Sequence, residues 1–163
     1  MAKTYEPIAT TTLASAAASY TFSSISQSYT DLILISTTTN DSVDYSLAIK
    51  LNGDTTGTLY SRTILSGNGT AAASSRGTSE VAYYPLYSAN LAYPAFALVN
   101  FLNYSNTTTY KTFLSRGNVT QANVYATVGL RRSTEAISTI AISPTAGNFA
   151  IGSTFTLYGI KAA

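Results

Sequence analysis

The chain has 163 residues, a formal net charge of +2, and no cysteine, histidine or tryptophan. Losing cysteine and histidine together excludes the common zinc and iron sites and the Ser-His and Cys-His nucleophile pairs. Charged residues are 10% of the chain, against roughly 25% in an average domain; Arg131-Arg132 is the only basic pair, so no phosphate-tracking surface for nucleic acid is expected.

This length suits one domain with a sizeable core, which needs neither disulfides nor a metal. Serine, threonine and 13 tyrosines take the place of charge. Threonine and tyrosine fit a pleated, half-buried surface, whereas serine, asparagine and glycine favour turns. No apolar stretch approaches the ~20 residues of a membrane span. The opening MAKTYEPIATTTLASAAASY has no apolar h-region, so no secretory leader is expected.

Residues 1–13 read as an extended N-terminal arm whose Ile8–Leu13 part can form an edge strand, with Pro7 holding Glu6 extended. The Ala14–Ala18 cluster is too short for a stable helix and reads as a turn. Ser19–Ile25 alternates Tyr20 and Phe22 with polar residues. Thr30–Thr39 encloses Leu32-Ile33-Leu34-Ile35, a run suited to a strand covered on both faces or at a sheet centre. Tyr45, Leu47, Ile49 and Leu51 share one face of Asp44–Asn52, and Asn52-Gly53-Asp54 is a hairpin-turn signal returning the chain along Thr58–Leu65. SGNGTAAASSRGTS (66–79) reads as a loop, opening a loop-rich, variable segment over 66–93 that ends in a tyrosine cluster.

The stretch from Tyr93 to Gly117 is the centre of the plan: a long antiparallel hairpin, with the apolar run Ala95–Leu102 in the middle of a sheet and Asn103–Asn106 at its reversal. In Ala122–Arg132, Val124, Ala126, Val128 and Leu130 share one face. Arg131–Glu135 closes a turn, Ala136–Ser143 returns, and Ser153–Lys161 forms the last strand. Nine or ten strands with turn chemistry between them and no long helix predict an all-β, jelly-roll-like antiparallel β-sandwich spanning 1–163 as one domain.

No catalytic constellation emerges, and no cofactor or metal is expected. Asp41, Asp44 and Asp54 are the nearest thing to a carboxylate group, but a pair flanking a turn is explained by backbone hydrogen bonding; it lacks the facing geometry of glycoside hydrolysis and the EF-hand spacing. Gly67-Asn68-Gly69-Thr70 is not followed by the Gly-Lys-Ser/Thr of a phosphate loop. The Asn-x-Ser/Thr triplets at Asn40, Asn68, Asn103, Asn106 and Asn118 read as turn asparagines. Tyr83, Tyr84, Tyr87 and Tyr93 can pack in a sheet, form a protein interface or stack on sugar.

NYSNTTTYKTFLSRGN (103–118), ATVGLRRSTEAISTIAI (126–142) and GNFAIGSTFTLYGIKAA (147–163), with the opening YEPIATTTLASAAASYTFSSISQSYTDLILI (5–35), resemble a family of small virion proteins of tailed bacteriophages, especially those of cyanobacteria and other aquatic hosts. The resemblance implies a jelly-roll-like sandwich on the virion, either decorating the capsid or belonging to a tail fibre. A single domain without heptads or triple-helical repeats and a low-charge surface favour a capsid decoration (cement) protein. This would be a homotrimer on the outer capsid that binds the major capsid protein and is not an enzyme. The alternative is a receptor-binding fibre tip recognising host glycan. The expected protein-interface residues are Tyr5 in the arm, and Tyr83, Tyr84, Tyr87 and Tyr93, and the glycan reading would place Tyr83 and Tyr87 at the sugar; no nucleic acid or membrane partner is implied.

Overall fold

The computed structural model describes residues 4–41, 45–89, 93–120 and 122–161. Twelve strands follow one another: β1 (Tyr5–Thr12), β2 (Tyr20–Phe22), β3 (Asp31–Thr38), β4 (Tyr45–Leu51), β5 (Tyr60–Gly67), β6 (Ala72–Glu80), β7 (Tyr83–Ala89), β8 (Ala95–Leu102), β9 (Lys111–Val119), β10 (Asn123–Arg131), β11 (Ile140–Pro144) and β12 (Thr154–Ile160). They form an eight-stranded sheet in the order β1-β12-β3-β8-β9-β10-β5-β6 and a four-stranded sheet in the order β2-β11-β4-β7, with antiparallel pairing throughout. This is a jelly-roll-like β-sandwich, with two or three strands more than the sequence reading counted.

The core lies between the sheets. Leu32, Leu34, Val99, Phe101, Phe113, Phe155 and Leu157 come from the large sheet, and Leu47, Ile49, Leu51, Leu86, Ile140 and Ile142 from the small one. Each such side chain contributes roughly 1.5–3 kcal/mol by leaving water. The central hairpin is as expected: β8 lies between β3 and β9. Its reversal is longer than a four-residue turn, because Asn106 Oδ1 accepts hydrogen bonds from Thr108 N (2.7 Å) and Thr109 N (2.8 Å) and holds a second bend.

Three connections differ from the sequence reading. First, Asn52-Gly53 does turn, with φ of 50° and 70° and Asp54 N donating to Leu51 O at 2.9 Å. Yet β4 and β5 then enter different sheets, so they are not a hairpin. The Asn52 side chain explains why: it donates to Ala136 O (2.8 Å) and accepts from Ser138 N (2.9 Å), tying the turn to the crossover after β10. Second, that crossover, not a hairpin turn, follows Arg131, and β11 lies in the small sheet. Third, 66–93 is mainly strand. β6 pairs along β5 as an edge strand, and nearly all of its residues are exposed because it overhangs the smaller sheet, whose edge strand β7 packs under β5, β8, β9 and β10. A strand wet on both faces needs no apolar alternation, so the sequence hides it.

Both sheet edges show how proline is tolerated. Pro7 sits at the register shift of β1, and Pro85 lies in β7, whose pairing with β4 is broken by two shifts. An edge strand has one side with no ladder bonds to lose. The N-terminal arm is likewise largely strand: β1 pairs with β12 from Tyr5 to Thr12.

Candidate interaction surface

The alternation of β10 places Val124, Ala126, Val128 and Leu130 on one face, as expected, and the structure turns that face outward. Their alternates face in because each meets a specific partner there. Gly129 lies where the ring of Tyr83 crosses, leaving no room for a Cβ. Thr127 Oγ1 donates to Pro85 O (3.3 Å), and Tyr125 is buried.

Arg131 completes the inward set and is 1% exposed. Its Nε and Nη2 donate to the two carboxylate oxygens of Asp54 at 2.8 and 2.9 Å, and Nη2 also reaches Glu135 Oε2 at 3.0 Å. Tyr60 OH donates to the same Asp54 at 2.5 Å and accepts from Leu51 N at 2.9 Å. Burial pushes the Asp54 carboxyl up, but the Arg131 and Tyr60 hydrogen bonds outweigh it and hold it below its ordinary value. Burial pulls Arg131 down; Asp54 and Glu135 more than restore it. Lys111, also buried, donates to Thr109 O (2.8 Å) and Thr134 O (3.0 Å), with its ammonium pulled below its ordinary value by burial and by Arg131. These groups pin the ends of β5, β9 and β10, and their remaining valences go to backbone. Reading Arg131–Glu135 as a turn missed them; only the tertiary partner Asp54 reveals them.

With those partners inside, apolar side chains gather on the outer face of the large sheet over β5, β10, β9, β8 and β3. One rung across it, read from the register, is Leu65, Ala126, Arg116, Leu98 and Ile35; the next is Thr63, Val128, Leu114, Asn100 and Ile33. Val124 and Phe96 flank them across Asn118. Exposure is 61% at Leu65, 62% at Val124, 53% at Val128 and 41% at Leu114, far above what a core position keeps. Grooves of about 560 Å³ and 440 Å³ run over this face, the larger reaching from Leu65 and Val128 across Leu98 and Ile33 to Tyr5.

The tyrosines expected at an interface separate. Tyr5 is 58% exposed and lines the end of the larger groove. Tyr83 is buried: its ring centroid is 5.1 Å from that of Phe113, and its OH is hydrogen-bonded to Ser115 Oγ at 2.7 Å. It is a core residue and cannot touch a partner, because Gly129 opens a space for its ring. Tyr84 is half-buried, with the Arg62 guanidinium carbon 5.0 Å from its ring centroid and Arg62 in turn paired with Glu80. Tyr93 is exposed, and the side chain of Tyr87 lies outside the described residues. No shared tyrosine platform joins Tyr83 and Tyr84.

The acidic turn residues separate too. Asp41 accepts from Asn148 N and Nδ2, both at 2.9 Å, while Asp54 is committed to Arg131; Asp44 lies outside the described residues. Among the described residues no group of three or more acidic side chains is arranged for a metal ion. In 67–70 the Asn68 side chain accepts from Thr70 N (2.9 Å) and Ala71 N (2.8 Å), so those amides close the β5–β6 turn and are not free to cradle an anion.

No protein-family model matches the chain, and no curated protein matches it. Among solved structures, the crystal structure of Caenorhabditis elegans galectin LEC-6 is similar at 12% identity and a TM-score of 0.44, over 90% of this chain and 94% of that one.

Proposed function

We propose that this chain is a virion structural protein of a tailed bacteriophage, a decoration (cement) protein that sits on the outer capsid and binds the major capsid protein by the outer face of its large sheet. The observation that supports docking is the apolar outer face itself. Four strands at about 4.8 Å spacing and four outward residues at about 7 Å give a face of roughly 400 Å² on β5, β10, β9 and β8, in which apolar side chains surround Thr63, Asn100, Arg116 and Asn118. The whole eight-stranded face offers about 800 Å² by the same spacing, one partner's share of a standard interface. The virion assignment rests on the sequence resemblance.

A protein that binds only the assembled shell stabilises it by mass action. Copies grouped as a homotrimer between capsomers would add their contacts together. The role is binding, not catalysis. The glycan-binding fibre-tip reading depended on a tyrosine platform, and with Tyr83 inside the core that platform loses its centre.

The test is to add the purified chain to capsids of the encoding phage that lack it, and to image the particles by electron cryomicroscopy. Density on the capsid surface at hundreds of copies, with the large sheet toward the shell, supports the reading. A wild-type chain that leaves capsids bare, or that is found only at the tail, refutes it. Light scattering separately checks the trimer, and a monomeric mass would remove that part alone.

A further inference from the structure

An arginine stands in the middle of the apolar face. Arg116 has Ala126 and Leu98 as its neighbours across the strands, with Leu65 one strand further. It is exposed and, among the described residues, makes no hydrogen bond or ion pair. Its own strand and those around it offer it no carboxylate, since β5, β8, β9 and β10 contain no aspartate or glutamate. A second cation, Arg76, lies opposite Thr63 on β6, exposed and also outside every ion pair among the described residues. Three inter-strand steps and one rung separate the two, about 16 Å between backbones.

This arrangement restricts what can cover the face. A purely apolar partner would strip water from the Arg116 guanidinium and return no hydrogen bond, a cost that opposes docking. A polyanion such as nucleic acid would want many cations along a track, and the face has two among aliphatic side chains. A carboxylate suits both features: it pairs with a planar guanidinium through two parallel hydrogen bonds, strengthened when the surrounding aliphatic groups exclude water. We infer that the partner of this face is a protein projection with apolar side chains around one aspartate or glutamate that seats on Arg116, and with a second acidic group reaching Arg76 at the rim. The inference rests on the docking reading above and specifies the chemistry of its partner.

The experiment measures sedimentation of the purified chain with capsids lacking it, comparing wild type, Arg116→Gln, Arg116→Glu and Leu65→Asp at about 50 and 300 mM salt, a range over which exposed charge pairs are progressively screened. Arg116 and Leu65 are exposed, so circular dichroism melts should match wild type and exclude misfolding. Arg116→Gln should weaken binding about 30-fold or more, as expected when one member of a desolvated charge pair is truncated. Arg116→Glu should weaken it further, and both variants should lose part of the salt dependence. Wild-type affinity in both Arg116 variants, with Leu65→Asp impaired, would mean that the face docks without a carboxylate, and would overturn this inference alone. Failure of the wild-type chain to bind capsids overturns the docking reading and the inference with it.

Discussion

Replacing Asp54 with alanine tests the buried ion cluster most directly. Asp54 meets Arg131 with both carboxylate oxygens, and Arg131 is 1% exposed. Removing one member of a buried pair leaves an uncompensated charge, typically at a cost of about 3–5 kcal/mol. Here the low end applies, about 3 kcal/mol, because Glu135 still reaches Arg131 from a largely exposed position. For a chain of this size the melting temperature should fall by about 6–12 °C. Thermal and urea denaturation followed by circular dichroism measure it. Adding Arg131→Met to Asp54→Ala should restore at least half of the loss, since an apolar side chain does not need the carboxylate. Acid gives a second reading of the same bond. Because the folded Asp54 carboxyl is held below its ordinary value, the unfolded chain binds its proton more readily. The stability it supplies is therefore complete above about pH 4 and is lost as pH falls through the lower folded value. The gap between wild type and Asp54→Ala should narrow below about pH 4. A loss under about 1 kcal/mol, or a gap that stays constant on acidification, would refute this account of the cluster.

Gly129→Ala should cost about 1–3 kcal/mol in urea denaturation, because a Cβ there meets the rings of Tyr83 and Phe113 rather than a flexible chain end. Tyr83→Phe, which leaves Ser115 Oγ without its tyrosine partner, should cost about 1 kcal/mol, whereas Tyr83→Ala should cost about 3–5 kcal/mol as a core truncation. Glycan binding lost in Tyr83→Ala but also lost on mild heating of wild type would therefore report unfolding, not a sugar contact. On the outer face, the double substitution of Leu65→Thr and Val128→Thr should change stability by less than about 1 kcal/mol while reducing capsid binding in the same sedimentation assay. A large drop in melting temperature would mean that these side chains are packed rather than open.

The all-β class, the central hairpin and the strand positions of β3, β4, β8, β10 and β12 were legible because apolar and polar residues alternate in β4, β10 and β12, β3 and β8 carry short apolar runs, and turn residues such as Asn52-Gly53 punctuate them. β6 was not legible, since an overhanging edge strand has no buried face to write a period into its residues. The site was less legible than the fold. Tyr5 was singled out and does line the groove, but Tyr83 was judged by residue type, and type does not distinguish a ring offered to a partner from one filling the space above a glycine. Leu65, Leu114 and Arg116 were not marked at all.

The physical reason is a symmetry of the strand. A period of two determines which side chains share a face, and the sequence alone does that for β10 as well as for β4: Val124, Ala126, Val128 and Leu130 do lie together. It does not determine which face the second sheet will cover. In β4 the apolar set faces in, and pattern and burial agree. In β10 the small sheet stacks on the other side, because Gly129 admits the Tyr83 ring and Arg131 finds Asp54 across the crossover. Those partners are distant in sequence, so only the tertiary structure could decide that this shared apolar face is open.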